Sequence, residues 1–247
     1  MSKVLALDSS GLVASVAVVE GDAFGSNLLA EYTVNYKKTH SQTLLPMLDE
    51  IVRMTELDLQ TIDAIAIAAG PGSFTGLRIG SATAKGLGLA LDRPLVAVPT
   101  LDALAYNLYG TDRLICPLMD ARRNQVYTGV YTFQNGLLTR VLEPAALDIR
   151  EIAEKLCEMK RDVIFLGDGV PVYQRTLEEV LLTDLSLHGN RYDFAPAHLN
   201  KQRAGAVAAL ALQYLKEGKT QTAAEHCPEY LRLSQAERER AEREGKG

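Results

Sequence analysis

One pattern occurs twice in this chain, and it restricts the fold more than any other feature. Residues 4–7 form a short apolar run that ends on Asp8-Ser9-Ser10-Gly11, and a second run, 13–19, follows at once. Residues 114–119 are again apolar and end on Asp120, 112 positions after Asp8; Ala121-Arg122-Arg123-Asn124 and a returning run over 125–133 follow. Apolar runs closed by Asp, Ser, Gly and Asn read as strands, and connections this short force antiparallel pairing. A third strand over 28–34 extends the first pair, and Asn135-Gly136 supplies a hairpin turn after the second. The echo continues: residues 64–69 enter Gly70-Pro71-Gly72, and residues 163–166 enter Gly167-Asp168-Gly169, each after a helical segment (41–57 and 149–159). A repeat of this kind predicts two related α/β halves. The expected division is 1–108, 111–233 and a charged tail over 234–247, with the boundary near Tyr109-Gly110-Thr111-Asp112.

Two helices carry more apolar or small surface than one core requires. Within 41–57, Leu45, Leu48 and Val52 fit one face, while Leu44, Met47, Ile51 and Met54 fit a neighbouring one. Such a helix needs cover on two sides, from a thick core or from a core plus a partner helix. The helix over 74–91 places Gly76, Gly80, Ala84 and Gly88 at four-residue intervals. Small residues on one face admit another backbone at close range, at a cost in intrinsic helix stability. An Ala-rich helix over about 204–216 is expected to pack back on the first half. The run from Glu237 to Glu244 alternates in sign and reads as a solvated tail.

Composition excludes several classes. Hydrophobic residues make up 47% and charged residues 23%, enough for a sizeable core. A net charge of −5, no Trp and 6% aromatics argue against a free-standing nucleic-acid binder. The three cysteines, Cys116, Cys157 and Cys227, form no C-x-x-C pair and suggest a reducing compartment. Asp8 interrupts the N-terminal apolar run too early for a signal-peptide core, and no apolar stretch approaches ~20 residues. The expectation is a cytoplasmic protein without a membrane span.

Chemistry is harder to find. A strand turning through glycines into a helix presents backbone N–H groups suited to phosphate. Gly70-x-Gly72-x-x-x-Gly76 nevertheless matches neither dinucleotide nor P-loop spacing, so turn formation and helix packing come first. Asp8, Gly70, Gly72 and Ser73 are at most a vestigial or weak nucleotide loop. Asp8 and Asp120, at matching strand ends, are expected to face one another across a cleft, although Asp at such positions is also ordinary turn chemistry. His40, His188, His198 and His226 show no metal-ligand spacing, and no G-x-S-x-G occurs. Arg78, Arg122 and Arg123 suit phosphate or carboxylate but equally solvate a surface. No catalytic set and no metal site is expected.

Five stretches occur in a recognisable order: 5–10 (LALDSS), Thr39-His40-Ser41-Gln42 with Leu44-Leu45-Pro46, 70–78 (GPGSFTGLR), Asp120-Ala121-Arg122-Arg123 with Val126-Tyr127, and 228–232 (PEYLR). Together they resemble the TsaB (YeaZ) family over nearly the whole chain, with 70–78 the most specific part. The resemblance implies the actin/Hsp70/sugar-kinase (ASKHA) fold, an α/β architecture of two duplicated domains with mixed sheets flanked by helices. It implies a part in making N6-threonylcarbamoyladenosine at tRNA position 37. The transfer itself would belong to a TsaD-type paralogue, assisted by a TsaE-type ATPase, and tRNA would be reached through that complex. A homodimer is implied when the chain is alone, and no cofactor is. Transferases of the TsaD type carry a pair of histidine ligands where this chain has Thr100 and Leu104, and neither can replace an imidazole. The implied pairing surface uses the helices over 41–57 and 74–91, which assigns Leu44, Met47, Ile51 and Met54 to the interface beside Gly76, Gly80 and Ala84. Met47→Asp or Ile51→Asp would then abolish pairing and leave the monomer folded. The rival reading is a small-molecule kinase or ATPase of the same fold, built on Asp8 and the Gly70 loop.

Overall fold

The computed structural model describes residues 1–22, 25–36, 38–184 and 191–231; the expected tail over 234–247 lies outside the described residues. The first half runs β1 (Ser2–Asp8), β2 (Ala14–Gly21), β3 (Ser26–Val34), α1 (His40–Thr55), β4 (Ala64–Gly70), α2 (Phe74–Leu91), β5 (Leu95–Pro99) and α3 (Thr100–Tyr106). The second runs β6 (Leu114–Asp120), β7 (Gln125–Gln134), β8 (Leu137–Asp148), α4 (Ile149–Met159), β9 (Val163–Leu166), α5 (Val170–Asp184), β10 (Tyr192–Phe194) and α6 (Ala204–Lys216).

Each half is built on a five-stranded mixed sheet. The first has the order β3-β2-β1-β4-β5, and the second, β10-β9-β6-β7-β8, is the same order read from the other edge. In both, three antiparallel strands are followed by strands parallel to the first of them. Helix α5 and edge strand β10 were not read from the sequence, and β8 entered only as the strand implied by the Asn135-Gly136 turn.

Side-chain alternation divides the first sheet into two unlike faces. Val4 and Ala6 of β1, with Ala17, Ala66 and Ala68, meet Ala204, Val207, Ala208 and Ala211 of α6. The small residues on both sides let α6 approach closely. Leu5 and Leu7 point the other way, with Val16, Val18, Ile65 and Ile67, and are covered by α1 and α2. In the second sheet α4 and α5 cover one face. The opposite face is covered by Leu101, Leu104, Ala105 and Leu108, from α3 and the turn after it. Thus the helix that ends the first half covers the second sheet, and the helix that ends the second half covers the first. A half-buried ion pair joins these parts: Asp102 of α3 accepts from Arg140 Nη2 on β8 (2.6 Å) and Tyr131 Oη on β7 (2.9 Å), with Tyr214 Oη of α6 at 3.4 Å.

Candidate functional site

The turn after β1 is held from several directions. The backbone N–H and hydroxyl of Ser10 both donate to Asp8 Oδ1, at 2.9 and 2.6 Å. Asp8 is fully buried, and burial outweighs these bonds, pushing its carboxyl up to about 6. His40, the first residue of α1, places Nε2 2.8 Å from the Gly11 carbonyl. The Asp8 turn therefore carries a contact from the Thr39-His40-Ser41-Gln42 stretch.

Across from this turn, β9 ends in Gly167-Asp168-Gly169. Gly167 adopts φ 109°, and a side chain there would run into the Leu118 carbonyl, so only glycine turns the chain at this point. Burial raises the Asp168 carboxyl, with Lys201 opposing the shift. A Cβ added to Gly11 would lie 2.8 Å from Gln202 Nε2 and 3.3 Å from Asp168 Oδ2, so these groups crowd against the Asp8 turn. The acid expected opposite Asp8 was Asp120. Its Oδ1 instead accepts from Arg122 N (2.8 Å) and Tyr173 Oη (3.1 Å), while Arg122 pairs with its other oxygen at 3.2 Å. The acid whose charge acts on Asp8 is Asp168. Sequence reasoning noticed the Gly167-Asp168-Gly169 echo without using the Asp; nothing in the sequence marked Gln202.

The Gly70 loop is filled by the chain itself. A Cβ on Gly70 would meet the Glu229 carbonyl and one on Gly72 the Ser10 carbonyl. Ser73 N–H donates to Ser10 O at 2.7 Å, and Ser73 Oγ caps α2 by accepting from Gly76 N at 3.3 Å. The four residues Asp8, Gly70, Gly72 and Ser73 do come together, but as a closed backbone junction and not as an open phosphate cradle.

The pairing residues need a larger correction. Leu44, Met47 and Ile51 point into the core of the first half, packed with Leu5, Val16 and Ile65. Of the four on α1 only Met54 is outward, 69% exposed, and Leu45, expected inside, is 53% exposed. The sheet takes Leu44, Met47, Leu48 and Ile51 as one stripe, a rotation of the helix from the face expected. Gly76, Gly80 and Ala84 are likewise buried. A Cβ on Gly76 would collide with the Ser9 carbonyl and one on Gly80 with Ser9 Oγ, while Ser9 Oγ donates to Gly76 O at 2.9 Å. The close approach that these small residues permit is to the chain's own β1 turn.

What faces outward from α1 and α2 is Leu45, Met54, Phe74 and Leu89, the last 73% exposed. Arg78 stacks over the Phe74 ring at 4.0 Å and donates from Nε to Tyr230 Oη at 3.4 Å. Thr100 and Leu104 on α3 are fully engaged: Gly70 N–H donates to Thr100 Oγ1 at 3.1 Å, and Leu104 lies in the core between the halves. Among the described residues no three His, Cys, Asp or Glu side chains converge on one point, and no helix is long and apolar enough to cross a membrane.

With this geometry in view, comparison with known proteins is informative. Residues 27–240 match the family model for TsaD, tRNA N6-adenosine threonylcarbamoyltransferase. The chain is 36% identical over 237 residues to the tRNA threonylcarbamoyladenosine biosynthesis protein TsaB of Bacillus subtilis, covering 95% of this chain and 96% of that one. It is 31% identical over 225 residues to the TsaB of Haemophilus influenzae, covering 85% and 90%. Among solved structures it is similar to YeaZ from Pseudomonas aeruginosa, with a TM-score of 0.72, 27% identity, and coverage of 93% of this chain and 100% of that one. Two mixed sheets of matching strand order, flanked by helices, are the α/β architecture expected of that family.

Proposed function

Because the chain belongs to the TsaB (YeaZ) family of tRNA threonylcarbamoyladenosine biosynthesis proteins, we propose that it is a non-catalytic assembly subunit of that pathway. In this reading a TsaD-type transferase is built on it, a TsaE-type ATPase joins the complex, and tRNA is engaged through these partners in the cytoplasm. The observation that carries the non-catalytic part is the state of α3. Thr100 and Leu104 stand where transferase ligands would be needed, and they are committed to the Gly70 amide and to the core. The net charge of −5 agrees with a subunit whose partners supply most phosphate contacts. The kinase reading has less support, because the spaces at Gly70 and Gly72 are taken by the chain's own backbone.

For the pairing surface, support comes from the exposed apolar groups of α1 and α2, two helices that pack against one another. Large apolar side chains held outward on two adjacent helices suit a helical interface, with a transferase subunit or a second copy of the chain. Leu89→Asp should abolish co-purification with a TsaD-type subunit and leave the melting temperature nearly unchanged. Met47→Asp, which places a charge in the core, should instead unfold the protein or cost ~3 kcal/mol or more. The decisive experiment reconstitutes threonylcarbamoyl transfer to tRNA with and without this protein; transfer that proceeds equally well in its absence refutes the subunit role.

A further inference from the structure

After α6, residues 219–231 cross the first half as a strap. Gln221 pairs with Leu95 of β5 in one antiparallel bridge, with N–H to carbonyl distances of 2.8 and 2.9 Å. Lys85 of α2 donates from Nζ to the His226 carbonyl at 3.0 Å. Glu229 N–H donates to Ala69 O at 2.7 Å, and the Glu229 carbonyl lies against Gly70. Tyr230 then packs on Phe74, with 5.2 Å between ring centroids, and accepts from Arg78. Among the described residues the strap gives the core of the first half only the small Ala223, so polar contacts hold it down.

A buried imidazole sits at the middle of the strap. His226 is 1% exposed, and Gln221 Nε2 donates to its Nδ1 at 2.7 Å, which leaves the ring's own proton on Nε2. Nε2 is buried with no hydrogen-bond partner among the described residues. From α2 the charged group that acts on the ring is Lys85, and β5 meets the strap with the apolar Leu95. On the strap itself, Glu225 is turned to the N–H and hydroxyl of Thr222, at 2.8 and 2.9 Å, while Cys227 and Glu229 are exposed. In the link between α2 and β5, Asp92 is exposed and Arg93 donates to Gln60 O at 2.9 Å. No carboxylate among the described residues acts on the ring, and burial together with Lys85 holds it below the ordinary histidine range.

We propose that the strap is a pH-operated clasp, closed while His226 is neutral and released when the ring takes up a proton. Protonation at Nδ1 sets one donor against another, the Gln221 amide. Turning that amide answers the first conflict and leaves a second, a buried imidazolium beside the Lys85 ammonium. Once the strap lifts, the charged ring reaches water, so acid favours the open form. With the closed-state value lowered, the clasp keeps its full stability above about pH 6.5 and loses it as the pH falls below. Release frees the Ala69 carbonyl and the Gly70 loop, and draws Tyr230 away from Phe74 at the start of α2. The inference goes beyond the subunit role and uses no partner.

The test is amide hydrogen exchange of the full-length protein at pH 7.5 and 5.5, read as protection factors corrected for the intrinsic pH dependence of exchange. Protection at Gln221 and Glu229 is expected to fall ~3- to 10-fold at the lower pH, the upper figure being the extent to which a freed histidine is protonated there. The amides of β1 should keep theirs. Gln221→Glu sets a carboxylate against Nδ1 and should hold the strap closed at both pH values. His226→Gln should remove the pH dependence, whatever its effect on protection at pH 7.5. Equal protection of Gln221 and Glu229 at the two pH values in wild type overturns the proposal. So does a wild-type loss that persists undiminished in either variant when folded, because the titrating group would then be another, such as Asp8 or His40.

Discussion

Cys116 and Cys227 show how far a single environment separates identical side chains. Cys116 is enclosed in β6, its sulfur 3.4 Å from Thr128 Oγ1, and burial pushes its thiol up to about 12. Cys227 is exposed in the C-terminal segment. Because the thiolate is the reacting form, iodoacetamide at pH 8 should label Cys227 in the native protein. Cys116 should be labelled only after denaturation, at least 100-fold more slowly under native conditions, and peptide mass spectrometry distinguishes the two. The same residue-level logic separates Asp8 from Asp120. Both end a strand before a turn, and the sequence makes them equivalent. Asp120 keeps an Arg and a Tyr around it, whereas Asp8 is enclosed and, among the described residues, is held by the Ser10 donors.

At the scale of the element, α2 tests the meaning of a glycine stripe. Alanine is intrinsically better in a helix than glycine by about 1 kcal/mol, so each Gly→Ala change in α2 carries a small gain. At Gly76 the new methyl would collide with the Ser9 carbonyl, and the expected outcome is a net loss of ~3 kcal/mol. At Gly86, on the same helix, nothing lies within 4 Å of the added methyl, and a gain of ~0.5–1 kcal/mol is expected. Urea unfolding of the two variants decides it, and a Gly76→Ala protein as stable as wild type would refute the packing account. The span of α2, read as about 74–91, was legible because a buried strand and a glycine loop precede it; the helix runs Phe74–Leu91, with Ser73 capping its start. The rotation of α1 was not. Leu44, Leu45, Met47, Leu48, Ile51, Val52 and Met54 cover about half the helix circumference, so periodicity alone does not choose the face that meets the sheet.

On the scale of the whole molecule, the halves are locked by exchanged helices, with Asp102 and Arg140 at the seam. Removing Arg140 leaves the Asp102 carboxylate buried beside two tyrosine hydroxyls. Arg140→Met should cost ~2 kcal/mol, below the usual range for a fully buried pair because the guanidinium side chain is about 35% exposed. Asp102→Asn combined with Arg140→Met should recover most of the loss, and denaturant melts of the four proteins in the cycle measure it. The sequence by itself determined the repeated plan of strands and helices, since apolar runs, turn residues and their 112-residue echo are local signals. The matching strand orders follow from that plan through short antiparallel links and helical crossovers. Only the tertiary structure decided which helix covers which sheet, which face of α1 is core, and that Asp168 and Gln202 close on the Asp8 turn. Those outcomes depend on contacts between separate elements, some of them more than 150 positions apart, where shape and burial choose among partners that local pattern leaves equivalent.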